Sequence, residues 1–118
     1  MGINKNYYVI AGYDLTTVAT DKYSEWKWTD EGEAFWCHQS VGNIQLFDDP
    51  MSGSYLYLGK VLAAGDEYYF GTTKFDVADI KGAFDDVTFQ LCQLRHAGII
   101  SQDSRWLKFQ IIVFEECT

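Results

Sequence analysis

Proline is almost missing from this chain: Pro50 is the single one among 118 residues. Together with a hydrophobic fraction of 47%, that scarcity excludes a disordered, proline-rich linker. Cations are also scarce, with nine Lys and Arg against seventeen Asp and Glu and a formal charge of −8. Phosphate is repelled by such a surface, so direct nucleic-acid binding is excluded as a function. Cysteine is limited to Cys37, Cys92 and Cys117, an odd number without framework spacing, which fits free thiols in a reducing compartment. No apolar run is long enough to span a bilayer. The opening Met1-Gly2-Ile3-Asn4-Lys5-Asn6 has neither an apolar signal core nor the Ser/Thr of a myristoylation motif. A cytoplasmic protein with no membrane partner is expected. Also missing are a glycine-rich loop between a strand and a helix and a Gly-Lys-Ser/Thr triplet, so no phosphate cradle is read.

What the chain has in excess is aromatic: eight Tyr, eight Phe and four Trp, 17% of the residues. Aromatics suit pleated, half-buried surfaces and favour a β-rich core. At this length one domain is expected. Residues 6–15 read as a central strand, because Tyr7, Val9, Ala11 and Tyr13 face one way, Tyr8 and Ile10 the other, and both faces are apolar. Thr20-Asp21 is placed to cap a short helix carrying Tyr23 and Trp26, with Asp30-Glu31-Gly32 ending it. From 33 to 73 an antiparallel meander is expected, with strands at 33–39, 43–47, 54–63 and 67–73 separated by turn-forming triplets and a longer Asp48-to-Gly53 loop. In the third of these, Tyr55 and Tyr57 alternate with Leu56 and Leu58, so phenols and leucines occupy opposite faces.

Residues 76–97 predict a long helix. Val77, Ile80, Phe84, Val87, Leu91 and Leu94 recur at spacings of three and four, the stripe of a helix packed on a sheet. Asp76 and Asp79 are spaced for a capping box, and Phe75 and Ile80 for a hydrophobic staple. Arg95 and His96 suit the last turn, and Gly98 a left-handed stop. Gly82, costing roughly 1 kcal/mol inside a helix, is expected to mark close approach to the sheet. Residues 105–115 predict a final strand inside the sheet, beside the first. The fold class is therefore α+β: a mainly antiparallel sheet of about five to six strands packed on one long helix, about 76–97.

No constellation carries catalysis. Cys92 and His96 share a helical face, but Cys37 and His38 are neighbours and point to opposite sides of a strand, so no metal site is assigned. Cys37 and His38 cannot form a thiol–imidazole dyad in an extended chain, Cys37 with His96 or Cys92 with His38 depends on the fold, and there is no nucleophile signature. The acidic doublets Asp30-Glu31, Asp48-Asp49, Asp66-Glu67, Asp85-Asp86 and Glu115-Glu116 fall mostly in turns and element ends, where solvation and turn formation explain them. An enzyme is not expected, nor a cofactor.

Located along the chain, the charge is more informative. Residues 30–67 hold seven acids against Lys60 alone, and Glu115 with Glu116 accounts for the remaining excess. If alternate turns of the meander share an edge, Asp30, Glu31, Asp48, Asp49, Asp66 and Glu67 form an acidic ridge, with Tyr55, Tyr57, Tyr68 and Trp28 as aromatic anchors for a partner with a basic cleft. A solubilising surface explains the same acids without a partner. The segment Phe47-Asp48-Asp49-Pro50-Met51-Ser52-Gly53-Ser54-Tyr55-Leu56-Tyr57 and the ending Phe114-Glu115-Glu116-Cys117-Thr118 resemble small acidic accessory proteins of bacteriophages, among them anti-CRISPR and anti-restriction inhibitors and sponges for nucleotide immune signals. The resemblance implies a viral anti-defence inhibitor in the host cytoplasm, binding a host nucleic-acid-handling protein through its basic surface. An oligomeric sponge is the first alternative, holding phosphate with Lys60, Lys74, Arg95, Arg105 or Lys108, and an immunity protein for a basic toxin nuclease is the second. A homodimer is compatible with each.

Overall fold

In a computed structural model, residues 5–36, 41–49, 53–66 and 74–117 are described. The first strand, β1 (Lys5–Asp14), is central, as its two apolar faces require. It pairs antiparallel with β3 (Leu56–Asp66) on one side and β4 (Gln110–Cys117) on the other. The short β2 (Ile44–Asp48) flanks β3, giving the order β2-β3-β1-β4. A long helix, α3 (Val77–His96), connects β3 to β4 and packs on one face of the sheet. The architecture is the expected α+β arrangement, but the described residues contain four strands rather than five or six.

Two of the differences have local causes. The described residues expected to begin the strand 33–39 are not extended: α1 (Tyr23–Trp26) is followed after three residues by α2 (Asp30–Glu33), and residues 34–36 form turns. Thr29 Oγ1 accepts a hydrogen bond from Gly32 N, and the three acids of this first turn suit the positive end of the helix dipole. Thus Asp30-Glu31-Gly32 starts a helix rather than ending one. Residues 37–39 of that expected strand, and the whole expected strand 67–73, lie outside the described residues. The final strand is shorter than expected, because Gln102–Trp106 forms a 3₁₀ turn in which buried Ser104 accepts from Arg95 Nε at 2.7 Å. β4 lies beside β1 as read, but at the sheet edge rather than inside it. Thr20 does not cap α1. Its hydroxyl donates to the carbonyls of Gly98 and Ile99, tying the first loop to the end of α3.

Helix α3 has the ends its residues predict. Asp76 and Asp79 form a reciprocal capping box, and Gly98 takes a φ of 79° just past the last turn. Its buried stripe is rotated from the expected one. Ala83, Val87, Leu91 and Leu94 are buried, while Val77 is 66% and Phe84 45% exposed. Small Ala83 seats the helix on Ala11 and Leu62, which turns Val77 and Phe84 outward. Gly82 is likewise on the open side: a Cβ added there meets nothing within 4 Å, so it does not mark a close approach.

The close approach is in the sheet. Gly12 of β1 pairs with Gly59 of β3, and a Cβ built on Gly12 would stand 1.8 Å from the carbonyl oxygen of Leu58. Two pairs further along, beyond Ile10 and Val61, the register shifts between Val9 and Ile10, leaving an extra residue in β3 that increases the local twist. The result is visible across the face opposite the helix. Tyr8 pairs with Phe114 near one end of β1, whereas Asp14 pairs with Tyr57, and Tyr57 with Phe47, at the other. Six extended residues span roughly 20 Å. Yet the rings of Tyr8 and Phe47 are 4.9 Å apart, and those of Tyr57 and Phe114 5.1 Å. The sheet therefore coils until its opposite corners meet, closing an aromatic layer over buried Ile10 and Val61.

Gly12→Ala should spread the β1–β3 pair and lower stability by about 3 kcal/mol, with a melting midpoint reduced by roughly 10 °C or more. Gly82→Ala, on the open side of α3, should instead raise stability by about 0.5–1 kcal/mol. Thermal unfolding of the two variants checks both signs.

Candidate functional site

The coiling gathers acids that are remote in sequence around phenols. Tyr55 and Tyr57 stack at 4.8 Å on the inner face, while Leu56 and Leu58 point to the helix side, the alternation their order predicts. Both tyrosines lean on Phe114, so they are half-buried members of the aromatic layer and not free anchors. Asp48 ends β2 and Asp49 follows it. Asp48 Oδ2 accepts from Lys27 Nζ at 2.7 Å and from Tyr23 Oη at 3.2 Å, and Asp49 Oδ2 accepts from Ser54 Oγ at 2.8 Å. Lys27 also lies 4.5 Å from the centre of the Trp36 ring.

Glu116 enters from β4, two residues beyond Phe114 on the same face. Burial and then the Asp48 charge hold its carboxyl above the usual carboxylate range. Its Oε2 is buried and accepts no hydrogen bond, as is Oε1 of buried Gln45 in β2. The phenols report the same field. Burial raises Tyr55 well above an ordinary phenol, with Glu116, Asp49, Tyr57 and Asp48 adding to the rise. Burial and then Glu116 raise Tyr8; burial and then Asp48 raise Tyr23; burial and then Asp14 raise Tyr57. Beside this rim a cavity of about 230 Å³ opens between Tyr23, Asp48, Gly53, Tyr55 and Thr16. The whole arrangement is rich in acceptors and negative charge, with Lys27 held against it, and suits a cation or a multiple hydrogen-bond donor.

Of the acidic residues singled out from the sequence, Asp48 and Asp49 stand in this rim with Tyr55 and Tyr57. Asp30 and Glu31 are exposed on α2. Asp48 pairs with Leu56, the first residue of β3, whereas Asp66 is the last residue of that strand. Asp48 and Asp66 thus occupy opposite ends of β3 rather than neighbouring turns on one edge, because successive hairpin turns alternate ends. Glu67 and Tyr68 lie outside the described residues, and Trp28 is exposed. Sequence reasoning overlooked Glu116, Tyr8, Tyr23 and Lys27. The alternation Phe114, Glu116 put the acid on an aromatic face, but only the coil brings it to Asp48.

A second cavity, of about 360 Å³, lies at the start of α3, between Lys60, Val61, Lys74, Phe75 and Asp79. It collects two of the five cations read as phosphate ligands. Arg95, by contrast, is committed to Ser104, and Lys60 also approaches Asp86 at 3.5 Å. Among the described residues no three His, Cys, Asp or Glu side chains converge as a metal site, and no helix is long and apolar enough to cross a membrane. No family model, curated protein or solved structure matches the chain, so residue roles rest on geometry alone.

The raised carboxyl of Glu116 has a definite pH signature. A carboxyl held above its unfolded value binds its proton more tightly in the folded state, so it opposes folding once ionised and not below the unfolded value. Glu116→Gln should therefore melt higher than the parent at neutral pH, and the two should converge as the pH falls below the ordinary Glu range. Melting curves across that range test the difference.

Proposed function

We propose that this chain is a non-enzymatic binding protein whose acidic, tyrosine-lined face blocks a basic surface on a nucleic-acid-handling protein, the anti-defence role implied by its resemblance to phage accessory proteins. The observation that carries this reading is the cavity that Asp48 shares with Tyr23 and Tyr55, flanked by Asp49, whose N–H donates to the Tyr55 carbonyl, and by Glu116, two residues beyond the Phe114 that packs on Tyr55. Glu116 Oε2 is an acceptor without a donor, and an arginine or lysine inserted by a partner would satisfy it with charge-assisted hydrogen bonds. The aromatic layer holds the rim in place, so little ordering is required on binding. Asp48 is paired with Lys27 and Asp49 accepts from Ser54, so Glu116, whose Oε2 lacks a donor, is the acid with the most to offer a cation. The immunity-protein reading shares this surface logic, and the identity of the bound host protein separates the two.

An arginine-rich peptide serves as a defined probe. The parent chain should bind it with an affinity that falls steeply with salt, and the Asp49→Lys, Glu116→Lys variant should bind at least about tenfold more weakly. Fluorescence anisotropy of the labelled peptide reads both; unchanged affinity in the double variant sinks the proposal. The same variant should lose whatever basic protein the parent captures from its host extract.

The Lys60–Lys74–Phe75 cavity favours a second reading, a small-molecule binder for a nucleotide. Its volume falls within the range of ligand pockets, and two lysines with a phenyl ring suit phosphate and base. Stabilisation by several degrees on adding cyclic or ADP-ribose-type nucleotides, lost in Lys74→Ala, would transfer the function to that cavity.

A further inference from the structure

Gly82 sits inside α3, where glycine is less favourable than alanine by roughly 1 kcal/mol. Its φ is not positive, unlike those of Gly42, Gly53 and Gly98, and a Cβ added to it meets nothing within 4 Å. Neither the path of the backbone nor close packing requires the missing side chain. A residue that breaks a local rule with no return in packing points to a use beyond the fold. Gly82 does border open space. With Asp79 and Ala78, three and four residues before it on the same helical face, it lines the cavity of about 360 Å³ at the start of α3.

The charges in this cavity define its occupant. Lys60 is the single base between residues 30 and 67, and it lies here. Its contact with Asp86, at 3.5 Å, involves a largely exposed carboxylate, and such pairs are worth little, so the ammonium is free to exchange it for a ligand. Lys74 and Phe75, just before the Asp76 cap, complete the lining used here. Asp79 is spoken for: its Oδ2 accepts from Asp76 N at 3.0 Å, and the positive end of the α3 dipole offsets its charge. Two ammoniums then match one phosphate monoester, whose charge is about −1.5 to −2 at neutral pH. In a chain of net charge −8, further phosphates would add repulsion with no cation to meet them. Resting on the nucleotide reading of this cavity, we propose that it binds a nucleotide with a single phosphate, held by Lys60 and Lys74 with its base against Phe75, and that Gly82 leaves the space the ligand fills. The volume, near the lower end of ligand pockets, suits one base and one phosphate.

Isothermal titration calorimetry tests the site, using the four ribonucleoside monophosphates, their nucleosides and triphosphates, and ADP-ribose. At least one monophosphate should bind, with its nucleoside, its triphosphate and ADP-ribose at least about tenfold weaker. Gly82→Leu, at an open helical position, should melt no lower than the parent yet bind that monophosphate at least about tenfold more weakly. Lys74→Ala should lose the preference for the monophosphate over its nucleoside. If none of these compounds binds, the nucleotide reading falls and the single-phosphate site with it. If ADP-ribose or a triphosphate binds more tightly, if Gly82→Leu binds like the parent, or if Lys74→Ala keeps the preference, the nucleotide reading stands and the single-phosphate site is overturned.

Discussion

Two glycines paired across the centre of the sheet set the shape of this molecule. Gly12 and Gly59 let β1 and β3 approach more closely than any side chain permits, and the extra residue in β3 beside them adds twist. A flat sheet of these four strands would keep Tyr8 and Phe114 far from Phe47 and Tyr57. Coiled, it brings the four rings into one layer and buries Ile10 and Val61 beneath them. The face away from α3 thereby has its own apolar core, while α3 and the aromatic residues of the α1–α2 segment cover much of the other. Aromatic content, which is unusual in a chain this small, follows from having two faces to fill with so few elements.

Charge is then distributed by the coil. Acids that the strand order would keep at separate corners are drawn to a common rim, and the cost appears in the raised Glu116 carboxyl and in phenols held further from ionisation. Lys27 relieves Asp48, and Ser54 donates to Asp49. A surface shaped only for solubility would disperse such groups into water. Here Glu116 is partly withdrawn from it with an oxygen unsatisfied, an arrangement that costs the folded chain stability once the carboxyl is ionised.

Much of the scaffold could be read from residue order because its determinants are local. The Asp76–Asp79 box and Gly98 mark α3 within its own few residues, and the alternation of Tyr55 and Tyr57 with Leu56 and Leu58 assigns the faces of β3 directly. Thr29 was an equally local signal for α2, hidden by reading the acids after it as a helix end. The buried arc of α3 was not legible, because Val77, Ile80 and Phe84 form as good a stripe as Ala83, Val87 and Leu91 until Ala11 and Leu62 choose between them. The rim was half legible. Asp48, Asp49, Tyr55 and Tyr57 belong to one hairpin, but Glu116 joins them through a bend set by glycines in two other strands, and no pattern near Glu116 encodes that.

Lys27 couples this rim to the indoles. Its ammonium lies against Asp48 and, at the same time, 4.5 Å from the Trp36 ring centre and 5.1 Å from that of Trp28. A positive charge near an indole shifts the energy of its excited state, so the colour of emission depends on where that ammonium rests. A cation that competed for Asp48 would change the hold on Lys27 and thereby the colour of indole emission, an unlabelled optical gauge of that carboxylate.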